Sequence, residues 1–148
     1  MAEQHPVFTA LAALADDAIE LRLLGVDMGM PSYCFAIHAR GKDIELGQIL
    51  IRFDTHPSIR LYAGNIGYEI EPGYRGQHYA ARACRLLPPV ARFHGLTELW
   101  IITSPDNLAS RRTAELAGGE YVDTHDMPPD TDMYAQGVHR ACRYRWRL

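Results

Sequence analysis

The chain has 148 residues, 47% of them apolar and 22% charged, a balance that suits a folded globular protein and excludes a disordered one. A net charge of −3 argues against nucleic acid or another polyanion as the partner. Three cysteines (Cys34, Cys84, Cys142) make no disulfide framework, and the apolar run at 10–15 is too short for a leader or a membrane span, so one domain over residues 1–148, working in the cytoplasm without a membrane partner, is expected.

Taken in order, residues 6–17 read as a short helix opened by Pro6, with Phe8, Leu11, Ala12 and Ala15 at helical spacing. Residues 19–24 alternate as a first strand, and 25–32, with two glycines and Pro31, read as a loop able to line a cleft. Residues 33–39 and 46–53 are two strands of a hairpin turning through Arg40-Gly41-Lys42-Asp43. A longer turn over 55–63 precedes a strand over 65–71. There Ile66, Tyr68 and Ile70 point one way and Asn65, Gly67, Glu69 and Glu71 the other.

A helix from about Gln77 carries Tyr79, Ala83, Leu86, Leu87, Val90 and Phe93 as its apolar stripe. Pro88-Pro89 should kink or split it, and Gly95 ends it. Residues 98–103 are a strand apolar on both faces. Ser104-Pro105-Asp106-Asn107 opens a second helix that runs to about Ala117 and stops at Gly118-Gly119. A short strand over 120–124, a loop over 126–137 and a last strand over 139–148 complete the chain. In the last strand Cys142, Tyr144, Trp146 and Leu148 alternate with Arg143, Arg145 and Arg147, as in an antiparallel sheet with one packed face.

The passage from strand to helix at 71–80, Glu-Pro-Gly-Tyr-Arg-Gly-Gln-His-Tyr-Ala, carries the first functional signal. A glycine-bearing turn running into a helix start presents backbone N–H groups at the positive helix end, an arrangement suited to phosphate. Neither the P-loop spacing nor Gly-x-Gly-x-x-Gly is present, so this is neither of those two phosphate readers.

The order strand, 74–80 turn, helix, strand, Asn107, helix, Gly118 resembles the GNAT superfamily of acyl-CoA-dependent N-acyltransferases, over about residues 66–122. Arg75, Tyr79 and Ala80 match that family's Arg/Gln-x-x-Gly-x-Gly/Ala motif, with His78 where its second glycine is expected. Asn107, Ala109, Ser110, Glu115 and Gly118 match the second motif. The resemblance implies an α+β fold: a mixed, mostly antiparallel sheet of six to seven strands flanked by helices, with two central strands splayed around the cofactor. It implies acetyl-CoA or another acyl-CoA as donor and no metal. The backbone of Tyr68, Glu69 and Ile70 would pair with the pantetheine amides, and the turn's Arg75, Gly76, Gln77, His78, Tyr79, Ala80 and Ala81 would hold the pyrophosphate. Asn107 would meet the pantetheine or thioester end.

Acyl transfer to an amine needs alignment, a neutral amine and stabilisation of the developing oxyanion. Glu69 is the expected base, and its plainer reading is an exposed strand residue. The tyrosine that commonly protonates the leaving thiolate in this family would fall at Ala114, which cannot act, so either the thiolate leaves unassisted or a tyrosine comes from elsewhere, with Tyr134 the candidate acid and its plainer reading a loop tyrosine. Arg82 and Arg85 either reach the cofactor's phosphates or solvate a helix face. Cys34 and His38 lack a third ligand for a metal. Asp126, Asp130 and Asp132 hint at a cationic amine. The expected function is N-acetyl transfer to a primary amine of a small molecule or protein. The alternative is a non-catalytic acyl-CoA-binding module. A homodimer is left open.

Overall fold

The computed structural model describes residues 14–148. Strands β1 (Ile19–Asp27), β2 (Ser32–Ala39), β3 (Glu45–Arg52) and β4 (Ile66–Ile70) form an antiparallel meander in that spatial order. Helices α1 (Tyr79–Cys84) and α2 (Pro88–Phe93) follow, split as Pro88-Pro89 dictates, because a proline has no N–H to continue the ladder. Strand β5 (Glu98–Thr103), helix α3 (Leu108–Ala117), strand β6 (Glu120–Asp126), the short helix α4 (Asp132–Ala135) and strand β7 (Arg140–Arg147) complete the chain. The last three strands make a second antiparallel sheet in the order β5-β7-β6.

One core runs under both sheets. Tyr33, Phe35, Ile37, Ile49 and Ile51 from the first sheet meet Leu99, Ile101, Cys142 and Tyr144 from the second, with α1, α2 and α3 covering that face. Cys84 is fully buried there, and burial pushes its thiol up to about 12, which keeps it a small hydrophobe. A smaller cluster of Ile102, Met127 and Ala141 lies on the other face of the second sheet, under Tyr62, Met133 and Tyr134. The sequence-predicted α+β architecture, seven strands among the described residues with a split in the middle, is the one observed.

Several elements differ from the sequence reading. The helix expected over 6–17 lies mostly outside the described residues; its end, 14–17, is a turn in which the Leu21 N–H donates to the Leu14 carbonyl at 2.8 Å. Half of the loop expected over 25–32 is strand, and only 28–31 form a turn. A register shift between Leu23 and Gly25 absorbs one residue as a bulge, so β1 continues to Asp27. The Asp27 carboxylate then accepts from the Gly29 and Met30 N–H groups and closes a tight turn. This hairpin does not line the cleft described below. The 55–63 segment winds into a π-helical turn, Ile59–Ala63, and α4, capped by Thr131, interrupts the loop expected over 126–137.

Among the described residues, backbone hydrogen bonding joins the two sheets at Asn65. Asn65, just before β4 and only 4% exposed, donates its backbone N–H to the Trp100 carbonyl at 2.7 Å, and its Oδ1 accepts from the Trp100 N–H at 2.8 Å. Its Nδ2 donates to the Arg52 carbonyl on β3 at 2.9 Å. Gly64 makes the close approach feasible: its φ is +75°, and a Cβ there would lie 3.1 Å from the Trp100 carbonyl oxygen. Beyond this clamp β4 and β5 share no ladder.

Candidate active site

The register of β4 decides what its free edge offers. The Arg52 N–H donates to the Asn65 carbonyl and the Glu71 N–H to the Leu46 carbonyl, so the alternating partners Gly67 and Glu69 also turn their backbone groups toward β3. Ile66, Tyr68 and Ile70 therefore direct theirs into the gap facing β5. The Ile70 carbonyl is taken by Arg75 Nε at 2.8 Å, which pins the turn to the strand. Of the three residues expected to pair with a pantetheine, Tyr68 and Ile70 present backbone to the gap, and Glu69 contributes only a side chain on the other face.

At the end of that strand the turn is shaped by two left-handed residues on either side of Gln77. Gly76 has φ +86° and His78 φ +60°, the one positive φ of a non-glycine residue among those described. His78 adopts the backbone that a glycine would take without strain, which accounts for the family's preference at this position. The first α1 hydrogen bond runs from the Arg82 N–H to the His78 carbonyl, so the amides before Arg82 have no carbonyl four residues back.

These residues line a hollow of about 450 Å³. Tyr68, Glu69, Ile70, Arg75, Gly76, His78, Tyr79, Ala80 and Asn107 all border it. Gln77 does not, and Ala81 has its side chain wholly in the core. From α3 the hollow adds Ser110, Thr113 and the exposed Arg112, which the sequence reading passed over. Arg82 is tied instead to Asp16 at 3.0 Å and to Asp17, and Arg85 donates twice to the Leu116 carbonyl, so both serve the fold.

A second hollow, of about 710 Å³, opens on the other side of the gap. Arg52, Tyr62, Ile66 and Gly67 form one side of it and Asp130, Asp132 and Met133 another. The two hollows share Tyr68, Asn107 and Ser110. Asn107 caps α3, its Oδ1 accepting from the Ser110 N–H at 3.1 Å. Tyr68 reaches across the gap, its hydroxyl 2.7 Å from Ser110 Oγ and 3.1 Å from the Ser110 carbonyl. Burial pushes the Tyr68 phenol up, so it remains a neutral hydrogen-bonding group.

Ala114, where the family's tyrosine was sought, is fully buried against the core. Ser110 lies one turn earlier, three residues after Asn107 and on the cleft face. Helical spacing from the cap could have found it. Tyr134 stacks on His139, with centroids 4.2 Å apart, and borders neither hollow. Asp130 and Asp132 line the second hollow, whereas Asp126 pairs with Arg140 at 3.7 Å. Of the β7 arginines, Arg143 holds Asp123 at 2.7 Å and stacks on Trp100. Among the described residues no cluster of three metal-ligating side chains exists, and no helix is long and apolar enough to cross a membrane.

A gap between splayed strands, with the 74–80 turn at a hollow on one side and a second hollow on the other, is the arrangement that the sequence resemblance implies. The model of the acetyltransferase (GNAT) domain matches residues 9–120, and the chain belongs to that family. No curated protein matches it. Among solved structures it is similar to the microcin C7 self-immunity acetyltransferase MccE in complex with acetyl-CoA and AMP (TM-score 0.60, 16% identity, 79% of this chain and 61% of that one). It is also similar to RimL, the ribosomal L7/L12 alpha-N-protein acetyltransferase, in complex with coenzyme A (0.60, 16%, 79% and 62%). A GNAT-family acetyltransferase from Bacillus anthracis is a third (0.58, 19%, 77% and 65%). The chain spans less than two thirds of the length of each, and at these identities the likeness is one of fold.

Proposed function

We propose that the protein transfers an acyl group, most simply acetyl, from its CoA thioester to a primary amine. The observation that carries this reading is the meeting of two hollows at Tyr68, Asn107 and Ser110. A donor entering from the turn and an acceptor entering from the other side come together there. The residues fit an acyl-CoA. The free strand edge at Tyr68 and at the Ile70 N–H matches the amides of a pantetheine arm, as an added strand would, and amides without carbonyl partners at 76–81 match a pyrophosphate. Arg112, exposed on α3 beside the same hollow, adds a cation. When bound, the thioester supplies the activated acyl group.

The chain's own residues then have separable tasks. The edge of β4 aligns the donor, and alignment of this kind is worth about 7–11 kcal/mol in favourable systems. Ser110 Oγ, held by the Tyr68 hydroxyl, stands where a proton can be given to the leaving sulfur, the task expected of Tyr134 from the sequence. Glu69, exposed at the rim of the first hollow and not bordering the second, takes the proton of the arriving ammonium through water. RimL acts on a protein N-terminus by its name, which supports an amine as acceptor here.

Incubation with acetyl-CoA and a panel of amines, followed by free thiol, tests the reading. Amine-dependent thiol release is expected. CoA binding with no release above hydrolysis for any amine would leave the non-catalytic binding module as the function, and no CoA binding by calorimetry would remove both.

A further inference from the structure

Arg52 sits on the wall of the second hollow under conditions that the protein's other inward arginines do not share. It belongs to β3, whose Ile49 and Ile51 point into the core, so Leu50 and Arg52 point to the opposite face, where the hollow lies. It is half-buried, and burial pushes its pKa down. Its Nη1 donates to the Gly64 carbonyl at 3.2 Å. Among the described residues no carboxylate comes within ion-pair distance of it. The other partly buried arginines have fuller sets of partners: Arg143, whose side chain is 12% exposed, has Asp123, Arg82 has Asp16 and Asp17, and Arg111 has the Tyr144 hydroxyl and the Pro105 carbonyl. A desolvated cation with a single carbonyl partner is costly unless an anion completes it.

The surroundings complement that cation. Ser58 and Tyr62, from the π-helical turn beside Arg52, add hydroxyls, and Asp130 and Asp132 line the same hollow from the 127–138 segment. The hollow thus holds both hydrogen-bond donors and carboxylates.

We propose that Arg52 anchors a carboxylate of the acceptor, so that the acceptor is an amine bearing a carboxylate in the same molecule: a free amino acid or the N-terminus of a peptide with an acidic residue close behind. The guanidinium fork suits a carboxylate bidentately, and Asp130 and Asp132 suit the ammonium before it is deprotonated. This rests on the acyl-transfer reading for the identity of the second hollow.

The test uses the full chain saturated with CoA. By calorimetry, ω-amino acids of two to six carbons are compared with n-alkylamines of equal length, and peptides beginning Ser-Asp or Ser-Glu with their Asn and Gln counterparts. At least a tenfold preference for one carboxylate-bearing set is expected, and that set identifies the source. Arg52→Gln abolishes the preference and Arg52→Lys keeps part of it, while CoA affinity, unchanged in both, reports an intact fold. No preference in the wild type, or one that survives in Arg52→Gln, overturns the proposal. Because the readout is binding, it stands apart from thiol release, whose failure would count against the acyl-transfer reading alone.

Discussion

Replacing Asn65 by alanine should be among the most damaging single changes in the protein. The substitution removes a side chain that is only 4% exposed and satisfies two buried main-chain groups, the Trp100 N–H and the Arg52 carbonyl. Each orphaned group costs about 1–3 kcal/mol, so the pair amounts to roughly 2–6 kcal/mol. Against a typical total stability of about 5–15 kcal/mol this is a large fraction, and at about 2–4 °C per kcal/mol the melting temperature falls by roughly 4–24 °C. Urea denaturation of the variant measures the loss. Asn107→Ala, which removes only a helix cap worth about 1 kcal/mol, is the comparison. The clamp also sets where β4 and β5 begin to part, so CoA binding should weaken more in Asn65→Ala than its stability at the assay temperature explains. A stability loss below that of Asn107→Ala would refute the clamp.

Three further outcomes are expected. His78→Gly relieves a left-handed Cβ costing about 1–2 kcal/mol and adds unfolded-state freedom costing about 0.5–1 kcal/mol, so melting should rise by roughly 1–3 °C, whereas His78→Ala should not raise it; equal melting of the two variants would count against strain at this residue. Ser110→Ala should lower kcat by about a hundredfold rather than raise KM, and Glu69→Gln should slow thiol release most at low pH, where less free amine exists; turnover within twofold of wild type would remove the residue from its role. Hydrogen bonds from Arg143 hold the Asp123 carboxylate below its ordinary value, so the stability it contributes is present above about pH 4 and lost as pH falls through the lowered value. The pair is partly exposed, so Asp123→Asn should cost only about 0.2–1 kcal/mol at pH 7, with the deficit shrinking toward pH 3; a deficit independent of pH in urea titrations would be inconsistent with it.

Much of this was legible in the sequence because it is written locally. The two-residue alternation of 142–147, the apolar run 98–103, the Asn107 cap and Gly118 each describe their own neighbourhood and need no distant partner. What escaped depends on residues far apart in the chain. Gly25 looked like a loop residue because a bulge can be recognised only against the facing strand. Ala114 was sought by analogy, whereas the cleft face of α3 is set by which side packs on Cys84 and Tyr144, and that side includes Ala114. Tyr134 was chosen as an acid for its chemistry, and its ring instead finds His139. Asn65 read as an outward strand residue; its importance comes from Trp100, thirty-five positions away.

The pairing of β4 with β3 has a consequence for how the donor is read. Which β4 amides face the gap, and so could meet a pantetheine, is a matter of parity inherited from the pairing with β3. Deleting one residue between Asn65 and Ile70 would turn the carbonyls of Gly67 and Glu69 into the gap. It would also exchange the faces of Tyr68 and Glu69, removing the partner of Ser110 in the same stroke. The strand is therefore open to substitution at its side chains and closed to changes in length. In this protein, binding specificity is encoded as counting.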